Sequence, residues 1–276
     1  MTQSQTLSPL AAPEPWELVA EGYAAEAPFL MRGFSLRALE LLEPFPAAHV
    51  VDVAAGPGTL SLEIAARVAH VDALDFSARM LASLTARMQA SGIENVQTHV
   101  GDGQALPFAD QQYDLGASMF GLMFFPNRLR GYAELLRVLK AGGRAVVSSW
   151  QPIEDSPLIS LMFSAIRAIE PSWPAPKKDP LGLENSEVLA AEMRAGGFAD
   201  VRIVPHTESL TPESAEALWA GMARSSAPLA LLRRRLGEEE WARRVPAALA
   251  VLDRGLTSGG RELSTTAWLA VGTRPR

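Results

Sequence analysis

The chain has 276 residues, which at roughly 150 residues per domain predicts about two domains or one elaborated domain. With 48% hydrophobic and 20% charged residues it is suited to a large core and excludes a disordered chain. The net charge of −6 argues against a nonspecific nucleic-acid binder and favours a small neutral or cationic partner, and zero cysteines exclude disulfides, thiolate metal sites and cysteine nucleophiles. The reducing cytoplasm is the expected compartment.

The start of the chain, through Glu17, has neither the basic opening nor the apolar run of an export signal, and its prolines with Ser and Gln predict a frayed tail. From about Pro46 to Trp150 short β-branched runs alternate with helical periods, the pattern of βαβ units and a parallel sheet. His49–Val53 is the first predicted strand. Leu60, Ile64 and Val68 then line one face of a helix whose N-terminus lies near Gly58. Val71–Asp75 is the second strand, and Ser77 is placed to cap a helix carrying Met80, Leu81, Leu84 and Met88. Val96–Val100 and Tyr113–Met119 are the third and fourth strands. Asn127 caps a helix with Leu129, Tyr132, Leu136 and Leu139 at helical spacing, closed by Ala141-Gly142-Gly143, and Arg144–Trp150 is the fifth strand. The stretch Leu115–Asn127 is apolar and uncharged, but its 13 residues fall short of the roughly 20 needed to span a bilayer, so no membrane segment is expected. Ser186–Ala195 reads as a helix stopped by Gly196-Gly197, with a strand near Val201–His206 and a last strand over Thr266–Gly272. Between these two strands, Thr211 to about Gly259 is rich in Ala, Leu, Arg and Glu and too long for a plain loop, which predicts inserted helices.

The turn after the first strand, Asp52-Val-Ala54-Ala-Gly56-Pro-Gly58-Thr59, sets small residues at alternate positions, where a bare backbone lets a ligand lie against it. Asp75 ends the next strand 23 residues after Asp52 and is placed to accept both hydroxyls of a ribose. The final position of the dinucleotide fingerprint is Ser61 rather than Gly or Ala, and a diphosphate would gain nothing from Asp52. An ammonium would, because a carboxylate can receive it directly or through water. S-adenosylmethionine carries a ribose diol at one end and an ammonium and a sulfonium at the other.

Together, Asp52-x-Ala54-x-Gly56-x-Gly58, Leu74-Asp75-Phe-Ser-x-x-Met80-Leu81, Gly101-Asp102-Gly-Gln-Ala-Leu-Pro-Phe108, Tyr113-Asp114 and Leu139-Lys-Ala-Gly-Gly143 resemble the successive motifs of the class I S-adenosylmethionine-dependent methyltransferases, in the ubiquinone/menaquinone-biosynthesis-like branch. The resemblance covers roughly Val50 to Trp150 and departs from the family at Ala54, where glycine is usual. It implies an α/β, doubly wound Rossmann-like fold with a seven-stranded, mostly parallel sheet and an antiparallel last strand, to which the inserted helices add a helical cap. It implies S-adenosylmethionine as cofactor, with Ala54, Gly56 and Gly58 admitting its methionine moiety and Asp52 steering the ammonium. Asp75 would hold the ribose, Phe76 and Met80 would flank the adenine, and Asp102 with Gly103 would meet its amino edge. Met119 and Phe120 would border the sulfonium, and Tyr23 would fold over the cofactor. The expected division is residues 1–45 as tail and helices over the cofactor, 46–210 as the core, 211–259 as a cap over the acceptor, and 260–276 as the last strand.

The expected reaction is methyl transfer to an O, N or C nucleophile of a small apolar or aromatic acceptor, an in-line displacement that needs positioning and water exclusion more than a base. Phe124, Trp150, Trp219 and Met222 are the candidate acceptor contacts, the last two because the inserted helices are rich in apolar residues such as Leu218, Leu229 and Leu232. His49, His70 and His99 read as structural or solvated, whereas His206, near the carboxyl end of the sixth strand, is the candidate general base. Arg233-Arg-Arg235 and Arg243-Arg244 flank Glu238-Glu-Glu240 and should pair off on a solvated helix rather than form a nucleic-acid patch. No His, Asp and Glu spacing suits a metal, and none is expected. A different use of the adenosyl sulfonium, such as cyclisation, and a non-catalytic cofactor-binding regulator or scaffold are the alternatives.

Overall fold

The computed structural model describes residues 8–174 and 179–276, so the first seven residues of the expected tail lie outside it. The tail is shorter than the sequence suggests. After a 3-10 turn at Pro9–Ala11, helix α1 runs over Glu14–Leu42. Pro15 falls in its first turn, where a missing N–H breaks no helical bond, and Glu14 and Glu17 complement the positive helix end.

The core alternates strand and helix: β1 (His49–Val53), α2 (Thr59–Ala65), β2 (His70–Asp75), α3 (Ala78–Ser91), β3 (Val96–Val100), β4 (Tyr113–Ser118), α4 (Arg128–Val138) and β5 (Leu139–Trp150). Ser77 caps α3 by accepting the Met80 amide at 3.2 Å, and Asn127 caps α4 by accepting that of Arg130 at 3.0 Å. The helix after Asn127 stops sooner than its apolar spacing predicts. Leu139 is already extended and pairs with Tyr113, so Leu139–Gly143 begin β5 instead of closing a helix. The chain continues through α5 (Pro157–Ile169), which the sequence reading passed over, α6 (Ser186–Ala195), β6 (Ala199–Leu210), α7 (Ala215–Ser225), α8 (Ala227–Leu236), α9 (Glu238–Ser258) and β7 (Leu263–Thr273).

Among the described residues the sheet has seven strands in the order β3-β2-β1-β4-β5-β7-β6, with β7 antiparallel to both neighbours and the other pairs parallel. The order reverses at β1 and β4, which opens a crevice beyond their carboxyl ends. One sheet face packs Phe34, Leu39, Ile64 and Leu84 against Val50 and Val71, while the other packs Leu135, Leu189 and Met193 against Val51 and Val147. The β6–β7 pairing continues to Leu210 opposite Leu263, so His206, expected near a strand end, sits inside β6 opposite Ala267.

A third core lies among the helices, where Leu158 and Ile166 of α5 meet Trp219, Met222, Leu229, Leu232, Trp241 and Leu252. Trp219 stacks on Trp241 with ring centroids 5.5 Å apart. The apolar residues expected to border an acceptor are therefore consumed in packing α5, α7, α8 and α9 together. Helix α1 also packs closely on α7: a Cβ at Gly22 would lie 2.2 Å from the Arg224 carbonyl oxygen, and Arg224 pairs with Glu26 at 2.5 Å. No described helix is long and apolar enough to cross a membrane.

Candidate active site

The crevice is built first by the turn after β1. Ala54, Gly56 and Gly58 have φ of 59°, 55° and 78°, and the alanine keeps this left-handed form at a cost of about 1–3 kcal/mol that its surroundings must offset. Gly58 serves packing: a Cβ there would lie 2.2 Å from Leu84, and the residue lines neither cavity described below.

Asp75 closes the turn from the next strand. Its Oδ2 accepts the Gly56 amide and its Oδ1 the Ser77 amide, both at 2.8 Å. Burial raises its carboxyl to about 6, against the pull of those backbone bonds. Asp52 is 1% exposed and accepts the Ser61 hydroxyl at 2.6 Å; burial, reinforced by the nearby Asp75, raises it to about 7. Ser61, which breaks the dinucleotide pattern, is thus the hydrogen-bond partner of Asp52. Among the described residues neither carboxylate has a Lys, Arg or His in a salt bridge, so the site concentrates acidic groups that lack a cation. The Tyr23 phenol is raised to about 12, first by burial and then by Asp75.

A cavity of about 370 Å³ runs from Asp75, Phe76 and Met80 along Asp102 and Gly103 to Met119, Phe120 and Phe124, with Tyr23, Ala54 and Gly56 also in its wall. A smaller one of about 50 Å³ holds Asp52 and shares Tyr23, Ala54, Gly56, Met119 and Phe120 with the first. Twelve positions inferred from sequence are thus brought together: Tyr23, Asp52, Ala54, Gly56, Asp75, Phe76, Met80, Asp102, Gly103, Met119, Phe120 and Phe124. Gln104 orients Asp102 by donating its amide to Oδ1 at 2.8 Å and its side-chain nitrogen at 3.1 Å, while its own Oε1 accepts the Asn127 amide.

The sequence reading missed Trp16, whose indole lies edge-on to Phe124 at 5.3 Å and to Tyr23 at 6.1 Å, and donates from Nε1 to the Leu10 carbonyl at 2.9 Å. A tryptophan inside an apparent tail was the available signal, since so large an apolar ring is rarely left in water. Ser35, Thr59 and Pro126 were missed as well.

Besides Gly58, four expected contacts lie elsewhere. Trp219 and Met222 are in the helical core, and Trp150 stands behind Phe120, stacked on it at 4.2 Å. His206 lines neither cavity; its Nε2 is 2.6 Å from Glu208 Oε1 and its ring meets Phe34 edge-on at 5.4 Å, with Phe34 in turn 5.4 Å from Phe120. His99 binds Asp72 at 2.6 Å, and Tyr113 donates to the same carboxylate, away from both cavities. The cationic runs on the inserted helices pair off, Arg233 with Glu238 and Arg244 with Glu240 among them. Among the described residues no group of three or more His, Asp or Glu is arranged to hold a metal.

A family model described as a methyltransferase domain matches residues 50–143. Uncharacterized proteins of Mycobacterium bovis and Mycobacterium tuberculosis are each 36% identical over 127 residues, which cover 46% of this chain and 45% of theirs, so the match spans a little under half the length of these relatives. A demethylmenaquinone methyltransferase of Clavibacter sepedonicus is 33% identical over 170 residues, 57% of this chain and 68% of that one. The fold is shared with the YcgJ protein of Bacillus subtilis, at a TM-score of 0.58 and 19% identity over 88% of this chain and 98% of that one. It is shared also with the cyclase SpnF, at a TM-score of 0.60 and 17% identity over 95% of each chain.

Proposed function

This chain belongs to the class I S-adenosylmethionine-dependent methyltransferases, in the ubiquinone/menaquinone-biosynthesis-like branch, and we propose that it methylates an O, N or C nucleophile of a small apolar or aromatic acceptor. The observation that carries this reading is a pair of adjoining cavities, one lined by buried Asp75 and the other by buried Asp52, whose shared wall is Tyr23, Ala54, Gly56, Met119 and Phe120. The two carboxylates suit a ligand with an ammonium and a ribose diol, and Phe76 and Met80 suit its adenine.

When bound, S-adenosylmethionine supplies an electrophilic methyl group on a sulfonium. The chain's own residues bind, orient and exclude water. Asp75, whose two oxygens are each fixed by an amide, offers its free lone pairs to the ribose hydroxyls. Asp52 presents negative charge to the ammonium at the end of the cavity system away from Asp102. Met119, Phe120 and Phe124 wall the side proposed for the acceptor, and their apolar surface favours an apolar or aromatic molecule and strips water from its nucleophile. With His206 behind Phe34, the reading relies on proximity and desolvation, which suffice for an acidic phenol, an enolate or an amine.

Calorimetry with S-adenosylmethionine, its demethylated product and NAD, followed by incubation of methyl-labelled cofactor with phenols, quinols and amines, tests the proposal. Binding of the first two and label in at least one acceptor are expected. NAD binding without a response to S-adenosylmethionine would overturn it. The fold is also that of a solved cyclase, so cofactor binding with no label transferred would favour the alternative of a different reaction or a non-catalytic binder.

A further inference from the structure

Two residues other than glycine hold left-handed backbone where the two cavities join, Ala54 at φ 59° and Phe120 at φ 58°. A Cβ at Gly121 would lie 2.3 Å from the Ala54 Cβ, so the two turns touch. Phenylalanine does not favour this conformation by itself, and a residue kept in it is held there by its surroundings. Such over-determined strain collects at working sites.

Here the surroundings are β5. Ser148 is fully buried and its Oγ accepts the Phe120 amide at 2.9 Å. Trp150, two residues along the same face of the strand, stacks on the Phe120 ring at 4.2 Å and 26°. Nearby Ser118 and Ser149 are as completely buried, yet their hydroxyls have no partner, so a serine at this level of the sheet does not acquire one by default. Phe120 in turn walls both cavities.

We propose that Ser148 and Trp150 are positioning residues for methyl transfer, a two-point grip from β5 that sets Phe120 as the partition at the cofactor's reacting end. The proposal rests on the methyltransferase reading, because the partition matters through what it presents to the cofactor. Ser148 fixes the backbone and Trp150 fixes the plane of the ring. Loss of the first lets the backbone relax and swings the ring from the junction.

The test is calorimetric titration with S-adenosylmethionine of the wild type, Ser148→Ala, Phe120→Gly and the double variant. Ser148→Ala is expected to weaken binding about tenfold, because a Phe120 backbone freed from its acceptor leaves the left-handed form and carries the ring out of the junction. In the Phe120→Gly background, where glycine takes the left-handed form unaided, the same change should shift affinity less than about twofold. Wild-type affinity in Ser148→Ala, or equal losses in the two backgrounds, would overturn the grip. A wild type that does not bind would instead overturn the methyltransferase reading. If Ser148→Ala fails to fold by thermal melting, restored folding in the double variant supports the grip, and its failure assigns Ser148 to packing alone.

Discussion

Asp75 Oδ2 accepts the Gly56 amide at 2.8 Å, so the carboxylate at the end of β2 buckles the glycine turn of β1 to itself. It is at once a structural fastening and the proposed ribose ligand.

Replacing Asp75 should therefore cost on both counts. Asp75→Ala is expected to weaken S-adenosylmethionine by about 2–4 kcal/mol, since bonds to a charged group contribute roughly 1.5–3 each and do not add fully. The melting temperature of the ligand-free protein should fall too, because the Gly56 and Ser77 amides lose their acceptor. Asp75→Asn keeps one carbonyl oxygen and should lie between. An unchanged dissociation constant in the alanine variant would remove Asp75 from the cofactor site.

The two acidic groups also make binding depend on pH. Burial raises Asp52 to about 7 and Asp75 to about 6, above their values in the unfolded chain. A carboxyl raised on folding contributes stability that is complete below its unfolded pKa and is lost as pH rises through the folded one. The ligand-free protein should accordingly lose stability from these groups between about pH 4 and 7. A cationic cofactor selects the ionised forms, so its affinity should rise over the same interval with protons released. Titrations at pH 5.5 and 7, each in two buffers of different ionisation heat, measure both effects, and a constant affinity with no proton release would contradict the assignment.

Trp16→Ala should weaken the cofactor without unfolding the protein. The indole closes the cavity against Phe124 and Tyr23, and each aromatic contact contributes about 0.5–1.5 kcal/mol beyond its area. A loss of about tenfold in affinity is expected by calorimetry, with a melting temperature near that of the wild type. The opposite pattern would make Trp16 a packing residue.

His206→Ala distinguishes a base from a neighbour. A general base contributes about 10²–10⁴ in rate. With Phe34 between the imidazole and Phe120, turnover of any acceptor found should change less than about threefold. A hundredfold drop in kcat at unchanged cofactor affinity would restore the catalytic role.

Replacing residues 211–259 by a linker should abolish cofactor binding as well as transfer. Ala227 of α8 shares a small core with Val19, Ala20 and Met80, and α7 lies on α1, so the excision uncovers the helix that carries Trp16 and Tyr23. Retained affinity in the shortened chain, by calorimetry, would show that the two layers are independent.

Strands β1 to β3 were legible because each is a short run with β-branched residues followed by a cap or a glycine turn, all local signals, whereas the start of β5 at Leu139 was hidden by the helical spacing before it. Much of the cavity wall was legible because Asp52, Ala54, Gly56, Asp75, Phe76, Asp102, Gly103, Met119 and Phe120 sit at or just beyond the ends of β1 to β4. What escaped is what distant chain decides. Whether Trp16 belongs to a tail or to a wall depends on Phe124, and whether His206 reaches the site depends on Phe34 of α1. The apolar faces of α7 and α8 promised an acceptor pocket, but the sequence held no sign that α5 would cover them, and apolar periodicity is the same for a packed face as for a ligand-facing one.

The first half of helix α1 leans on residues far along the chain. Glu26 finds its partner 198 residues on, in Arg224, and Glu14 finds Arg234 after 220. During synthesis β1 to β4 can pair through short connections and Phe34 and Leu39 of α1 can join them, while Glu14 and Glu26 wait for α8 and α7. Until then the cofactor crevice stands open on the side of Trp16 and Tyr23, and Val19, Ala20 and Ala27 are uncovered. Cofactor present during refolding should thus speed no early step and stabilise only the final docking, which makes the onset of binding a clock for the seating of α7 and α8 on α1.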